Sequence, residues 1–128
     1  MFRVKSLAAL TALLILLVGC GKTDTQAGTV HHVVICWLKE PGNAQARQRL
    51  IDASRGFADL PGLLRVSAGE CLPSQRPGVD STFDVAIVFT FSDQDALASY
   101  LASPRHKQAT AEVLQPLTQR VLIYDLRE

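Results

Sequence analysis

The chain has 128 residues, 48% of them hydrophobic and 20% charged, and its 13 Lys and Arg against 12 Asp and Glu leave a formal net charge of +1. That length suits one small domain, large enough to bury one core but not two. A near-neutral balance with no basic stripe argues for no nucleic acid among its partners.

The chain opens on a targeting segment. Arg3 and Lys5 form a basic start, and residues 7–17 form an apolar run of signal-peptide length. The run is too short for a membrane span, which needs about 20 apolar residues. It ends at Leu17-Val18-Gly19-Cys20, which resembles the bacterial lipobox. Residues 1–19 are expected to be removed as a lipoprotein signal peptide, with Cys20 as the lipidated N-terminus. Each buried acyl methylene adds about 0.8 kcal/mol, so the lipid on Cys20 is the expected membrane anchor. The expected location is the extracytoplasmic side of the cell envelope. Gly21 lacks the aspartate associated with inner-membrane retention, which favours the outer membrane in a Gram-negative cell. Residues 20–30, small and polar after the cysteine, read as a flexible tether, and residues 31–128 as the domain.

Residues 31–39 (HHVVICWLK) predict the first strand from their β-branched and aromatic content. Pro41-Gly42 breaks it, and Asn43 caps a helix to about Ala58 with Leu50, Ala53 and Phe57 on its apolar stripe. Leu60-Pro61-Gly62 is a turn. Residues 64–72 read as a second strand, 73–82 as a loop, and 83–91 (FDVAIVFTF) as a third strand. Ser92 starts a helix carrying Leu97 and Tyr100, with Asp95 completing a capping box. The chain restarts at Ser103-Pro104, an N-cap followed by proline at the first helical position. This helix runs to about Leu114, with Pro116 near its end, and residues 120–126 form the last strand.

The order β-α-β-β-α-β predicts an α+β, ferredoxin-like fold: an antiparallel sheet with helices on one face. The strands are apolar on both faces. Val33, Ile35 and Trp37 alternate with Val34, Cys36 and Leu38, and in the third strand Ala86 and Val88 oppose Val85, Ile87 and Phe89. A sheet with one wet face alternates apolar with polar. The helices cover one face only, so a second copy is expected on the other, giving a homodimer packed sheet to sheet.

Cys36 and Cys71 fall in different strands and read as buried free thiols. The adjacent His31 and His32 point to opposite faces and cannot chelate one ion together, so no metal is assigned. His106 and Tyr100 form a candidate acid–base pair. An imidazole titrates near neutrality, and a phenol can hydrogen-bond an oxygen that gains charge. Both residues also have an ordinary reading, His106 as an exposed helix-start residue and Tyr100 as a packed ring.

Taken together, His32-Val33-Val34-Ile35, the Leu60-Pro61-Gly62-Leu63 turn, the strand at 84–91, Tyr100 with Ser103-Pro104-Arg105-His106, and the closing strand resemble the stress-responsive A/B barrel domain, often called Dabb. The resemblance spans residues 31–126 and implies a dimeric α+β barrel. In a plant polyketide cyclase of that family, a tyrosine and a histidine matching Tyr100 and His106 serve an aldol ring closure without a cofactor. A histidine matching His32 lines the same pocket. Ser103, where that relative has a further histidine, and Trp37 depart from its pattern. His32 and Trp37 are assigned to ligand binding, with Trp37 also a candidate for the dimer core. Three functions follow: an envelope lipoprotein binding a small apolar or aromatic molecule between sheet and helices, a cofactor-free cyclase-like or isomerase-like enzyme using His106 and Tyr100, and a structural dimer. An exported enzyme would need a free small molecule rather than an acyl thioester as substrate.

Overall fold

The computed structural model describes residues 27–128; the expected leader, Cys20 and the start of the tether lie outside them. The first strand, β1 (Ala27–Leu38), begins inside the segment expected to be tether. Val30 explains the extension: it pairs with Phe91 on one side and Arg127 on the other, and its side chain is buried. The Glu128 amide closes this end by donating to the Thr29 carbonyl at 2.9 Å.

Helix α1 (Ala44–Arg55) starts where Asn43 caps it, its side chain accepting from the Ala46 amide at 2.9 Å. It stops at Gly56, and residues 57–59 continue only as turns. Strand β2 (Leu63–Glu70) follows the Leu60-Pro61-Gly62 turn. Gly62 has φ +79°, and a Cβ placed there would lie 2.6 Å from the Ala96 Cβ. The glycine therefore serves both the turn and the close approach of helix α2 (Gln94–Ala102).

Strand β3 (Val85–Asp93) runs two residues further than expected, because Asp93 pairs with Ala27. Asp93 rather than Ser92 thereby becomes the N-cap of α2 and accepts from the Ala96 amide at 2.8 Å. Helix α3 (Pro104–Ala109) has Ser103 as its N-cap and Pro104 in its first turn. It continues into a π-helical turn, Thr110–Leu114, and a last turn, Gln115–Leu117, before strand β4 (Thr118–Arg127). The wide turn sits beside Pro116, which has no amide to close an ordinary turn. The Gln115 amide instead reaches the Thr110 carbonyl five residues back. Among the described residues, no helix is long and apolar enough to cross a membrane.

The strands form one antiparallel sheet in the order β2-β3-β1-β4, a ferredoxin-like α+β fold. The core lies between the sheet and the helices. Val30, His32, Val34, Cys36 and Leu38 of β1 and Val85, Ile87, Phe89 and Phe91 of β3 are buried there. The alternate residues Val33, Ile35, Trp37, Ala86 and Val88 are half-buried on the other face. Cys36 is buried and Cys71 only half-buried, less enclosed than expected; both are free thiols. Burial, with Asp84 nearby, pushes the Cys36 thiol up to about 12, which makes it inert as a nucleophile.

Gly62→Ala is expected to lower unfolding stability by roughly 1–3 kcal/mol, the cost of forcing a side chain into a left-handed backbone. Urea denaturation followed by circular dichroism measures it. An unchanged midpoint would show that the turn and α2 relax apart freely.

Candidate functional site

A cavity of about 70 Å³ lies between the sheet and the helices. The sheet supplies His32 and Val34 from β1, Ile87 and Phe89 from β3 and Ile123 from β4. The helical side supplies Leu50, Ser54 and Phe57 at α1, Tyr100 from α2, His106 from α3 and Thr110 and Val113 from the π turn. Ile123, on the edge strand β4, is 49% exposed, so it marks the mouth. Among the described residues lining the cavity, none is Asp, Glu, Lys or Arg.

Tyr100 and His106 come together here, their ring centroids 4.6 Å apart and inclined by 60°. The chain break at Ser103 sets this geometry. The Ser103 hydroxyl donates to the Tyr100 carbonyl at 2.7 Å and accepts from the His106 amide at 3.1 Å. The residue that departs from the cyclase pattern is thus committed to joining the two helices. Arg105 fixes α3 from outside. Its guanidinium pairs with Asp59 at 2.8 Å, donates to the Gly56 carbonyl and lies 5.4 Å from the centre of the Phe57 ring.

His106 is poised as a base. Its Nδ1 is buried and has no hydrogen-bond partner. Burial lowers its pKa from the ordinary histidine value; a hydrogen bond with the Leu101 backbone partly offsets this, and nearby His32 and Lys107 lower it further. The ring is therefore neutral at neutral pH, with the lone pair of one ring nitrogen available. Burial pushes the Tyr100 hydroxyl the other way, so it stays protonated as a donor.

His32 enters the same cavity, 3% exposed, with its ring centroid 6.0 Å from Tyr100 and 6.0 Å from Phe89. Its Nδ1 lies 2.6 Å from Asp125 Oδ1, a residue that reasoning from the sequence did not single out. Register is the reason: β1 pairs with β4 so that His32 stands directly opposite Asp125. His31 lies on the other face, bonded to the Thr90 hydroxyl at 3.0 Å.

Trp37 does not line this cavity, contrary to the expectation. Its odd parity in β1 puts it on the opposite face. There its indole N–H donates to the Thr82 hydroxyl at 3.0 Å, and the Arg120 guanidinium stacks 4.3 Å from its ring centre.

The described residues form an α+β fold with a partly open cavity lined by no Asp, Glu, Lys or Arg. The family model for the Stress Responsive A/B Barrel Domain matches residues 30–128, and the chain belongs to that family. Solved structures share the fold at low identity. A Dabb family protein from Mesorhizobium loti is 22% identical, with a TM-score of 0.62 covering 77% of this chain and 95% of that one. A dimeric ferredoxin-like protein of unknown function from Thermobifida fusca is 18% identical, with a TM-score of 0.64 over 80% of this chain and 93% of that one. Hydroxynitrile lyase from Passiflora edulis is 19% identical, with a TM-score of 0.63 over 78% of this chain and 93% of that one. Among curated proteins, none matches this chain in sequence.

The lowered His106 pKa has a defined consequence for stability. Below the unfolded value of 6.5 the unfolded chain binds protons that the folded one resists, so stability rises with pH through that window. This contribution is complete above 6.5 and is lost as pH falls through the folded pKa. Urea midpoints are expected to drop on acidification from pH 7, with a shallower drop in His106→Gln. An equal drop in the two proteins would place the titrating group elsewhere.

Proposed function

We propose that this chain is a lipid-anchored, homodimeric envelope protein whose cavity binds a small, uncharged, largely apolar or aromatic molecule. The observation that carries the reading is the buried, unpartnered His106 Nδ1 in a cavity lined by no charged side chain. Leaving a buried acceptor unsatisfied costs about 1–3 kcal/mol, and a ligand O–H or N–H would recover that cost. The cavity volume of about 70 Å³ is smaller than the roughly 150 Å³ of a cavity that holds benzene. A ligand of aromatic size therefore places its polar end inside and extends through the mouth at Ile123.

Two further parts of the reading rest on separate observations. Leu17-Val18-Gly19-Cys20 after a short apolar run supports the lipid anchor. The second sheet face supports the homodimer, since Val33, Ile35, Val88 and Leu122 lie there beside Tyr124 and Leu126, which are 54% and 49% exposed. Relatives with this fold are described as dimeric.

A second reading, cofactor-free proton transfer, is favoured by the neutral His106 beside a protonated Tyr100. In that chemistry the His106 imidazole takes a proton from the carbon next to a carbonyl. The C–H pair moves into the enolate, and the Tyr100 hydroxyl bonds the oxygen that gains charge. One protein of similar fold is a hydroxynitrile lyase.

Native mass spectrometry of the full chain, extracted gently from its own membranes, tests the first reading. The expected result is a dimer with acyl mass on Cys20 and a reproducible small-molecule adduct. A dimer with neither acyl chain nor adduct would remove both anchor and ligand. Deuterium uptake next to the carbonyl of acetophenone, followed by proton NMR, tests the second. His106→Ala is expected to slow protein-dependent uptake by about 10²–10⁴-fold. Uptake no faster than in buffer would confine the site to binding.

A further inference from the structure

We infer that Asp125 is the positioning residue of the cavity: it holds the Nδ1–H tautomer of His32 and so presents Nε2 as a second hydrogen-bond acceptor to the occupant. The inference rests on the proposed ligand-binding role of the cavity and adds a residue and a direction to it.

The argument begins with the bond. A separation of 2.6 Å between His32 Nδ1 and Asp125 Oδ1 is at the short end for charge-assisted hydrogen bonds. A carboxylate only accepts, so the proton lies on the imidazole nitrogen that faces it. In the neutral ring the other nitrogen, Nε2, then carries the lone pair. His32 is 3% exposed and lines the cavity. Among the described residues, Nε2 has no hydrogen-bond partner. With Nδ1 turned to Asp125, Nε2 is the ring nitrogen left to the cavity that His32 lines.

The ring has little freedom to turn. It is inclined 37° to Phe89 and 67° to Tyr100, with both centroids at 6.0 Å. Its backbone sits in the central strand, paired with Phe89 on one side and Asp125 on the other. Asp125 comes from the edge strand, with half of its side chain in solvent. Its carboxylate is thus hydrated on one side while it reaches a buried ring on the other, which avoids the cost of burying both members of an ion pair. The cavity has two imidazoles, one oriented by Asp125 and one with no partner, with Tyr100 in ring contact with both.

The tautomer can be read directly. Long-range ¹H–¹⁵N correlation spectra of the full chain labelled at histidine distinguish a protonated Nδ1 from a protonated Nε2. At pH 7.5 the wild type is expected to show the Nδ1–H form at His32, and Asp125→Ala to shift it toward the Nε2–H form that is favoured in water. Phenol, which offers one O–H on an apolar ring, is the binding probe. Asp125→Ala is expected to weaken its binding by roughly 5- to 30-fold, the loss of one oriented hydrogen bond. A wild-type His32 protonated at Nε2, which needs no variant to detect, overturns the inference. An Asp125→Ala protein with an unchanged tautomer and unchanged phenol affinity overturns it as well. If phenol fails to bind the wild type while the tautomer depends on Asp125, the ligand reading fails and the positioning role stands.

Discussion

Everything in this molecule depends on the register of β1. It is a central strand, hydrogen-bonded on both sides, and its side chains alternate between two apolar faces. A slip of one residue would move Val34, Cys36 and Leu38 out of the core and carry His32 to the far side of the sheet. What prevents the slip is the contrast between the faces. The even positions are buried beneath the helices against Ile87, Phe89 and Phe91, and His32 is fixed to Asp125. Core packing and site geometry are therefore the same constraint seen at neighbouring residues.

The helical side closes the cavity by a different means. α2 and α3 do not form one continuous helix; they meet at Ser103, whose hydroxyl bonds a carbonyl of one and an amide of the other. Tyr100 and His106 lie on either side of that joint and face each other. Further along, Pro116 removes an amide and the chain widens into the π turn that brings Thr110 and Val113 to the cavity wall. Such turns are often found at functional sites. Here the wide turn has a local cause in the sequence.

Much of this was legible beforehand. The succession of elements along the chain followed from hydrophobic periodicity and turn residues, and Asn43 and the Ser103-Pro104 start followed from capping chemistry. The alternation of β1 separated His31 from His32. Tyr100 and His106, whose resemblance to the cyclase pair singled them out, share one cavity wall. What stayed hidden depends on pairing between distant segments. Asp125 belongs to the site only because β4 lies against β1 in one particular register, and no local pattern announces a register across 93 residues. Trp37 is assigned to ligand binding through the family resemblance, although its parity with Val33 already puts it on the face opposite His32. The extension of β1 to Ala27 came from pairing with Asp93 and Arg127 at the other end of the chain, against the polar look of residues 21–29.

The joint at Ser103 also sets how this protein can change. α3 is six residues long, contributes no fully buried side chain to the core, and is pinned from outside by Arg105 against Asp59 and Gly56. Apart from His106 against Tyr100 and Ala109 against the core, its side chains are exposed, so substitutions there leave the sheet and its packing largely untouched. The segment that carries His106 behaves as an exchangeable cassette, clipped to a scaffold whose stability lies elsewhere. Most of that short stretch can be rewritten without the chain first surviving the loss of a core.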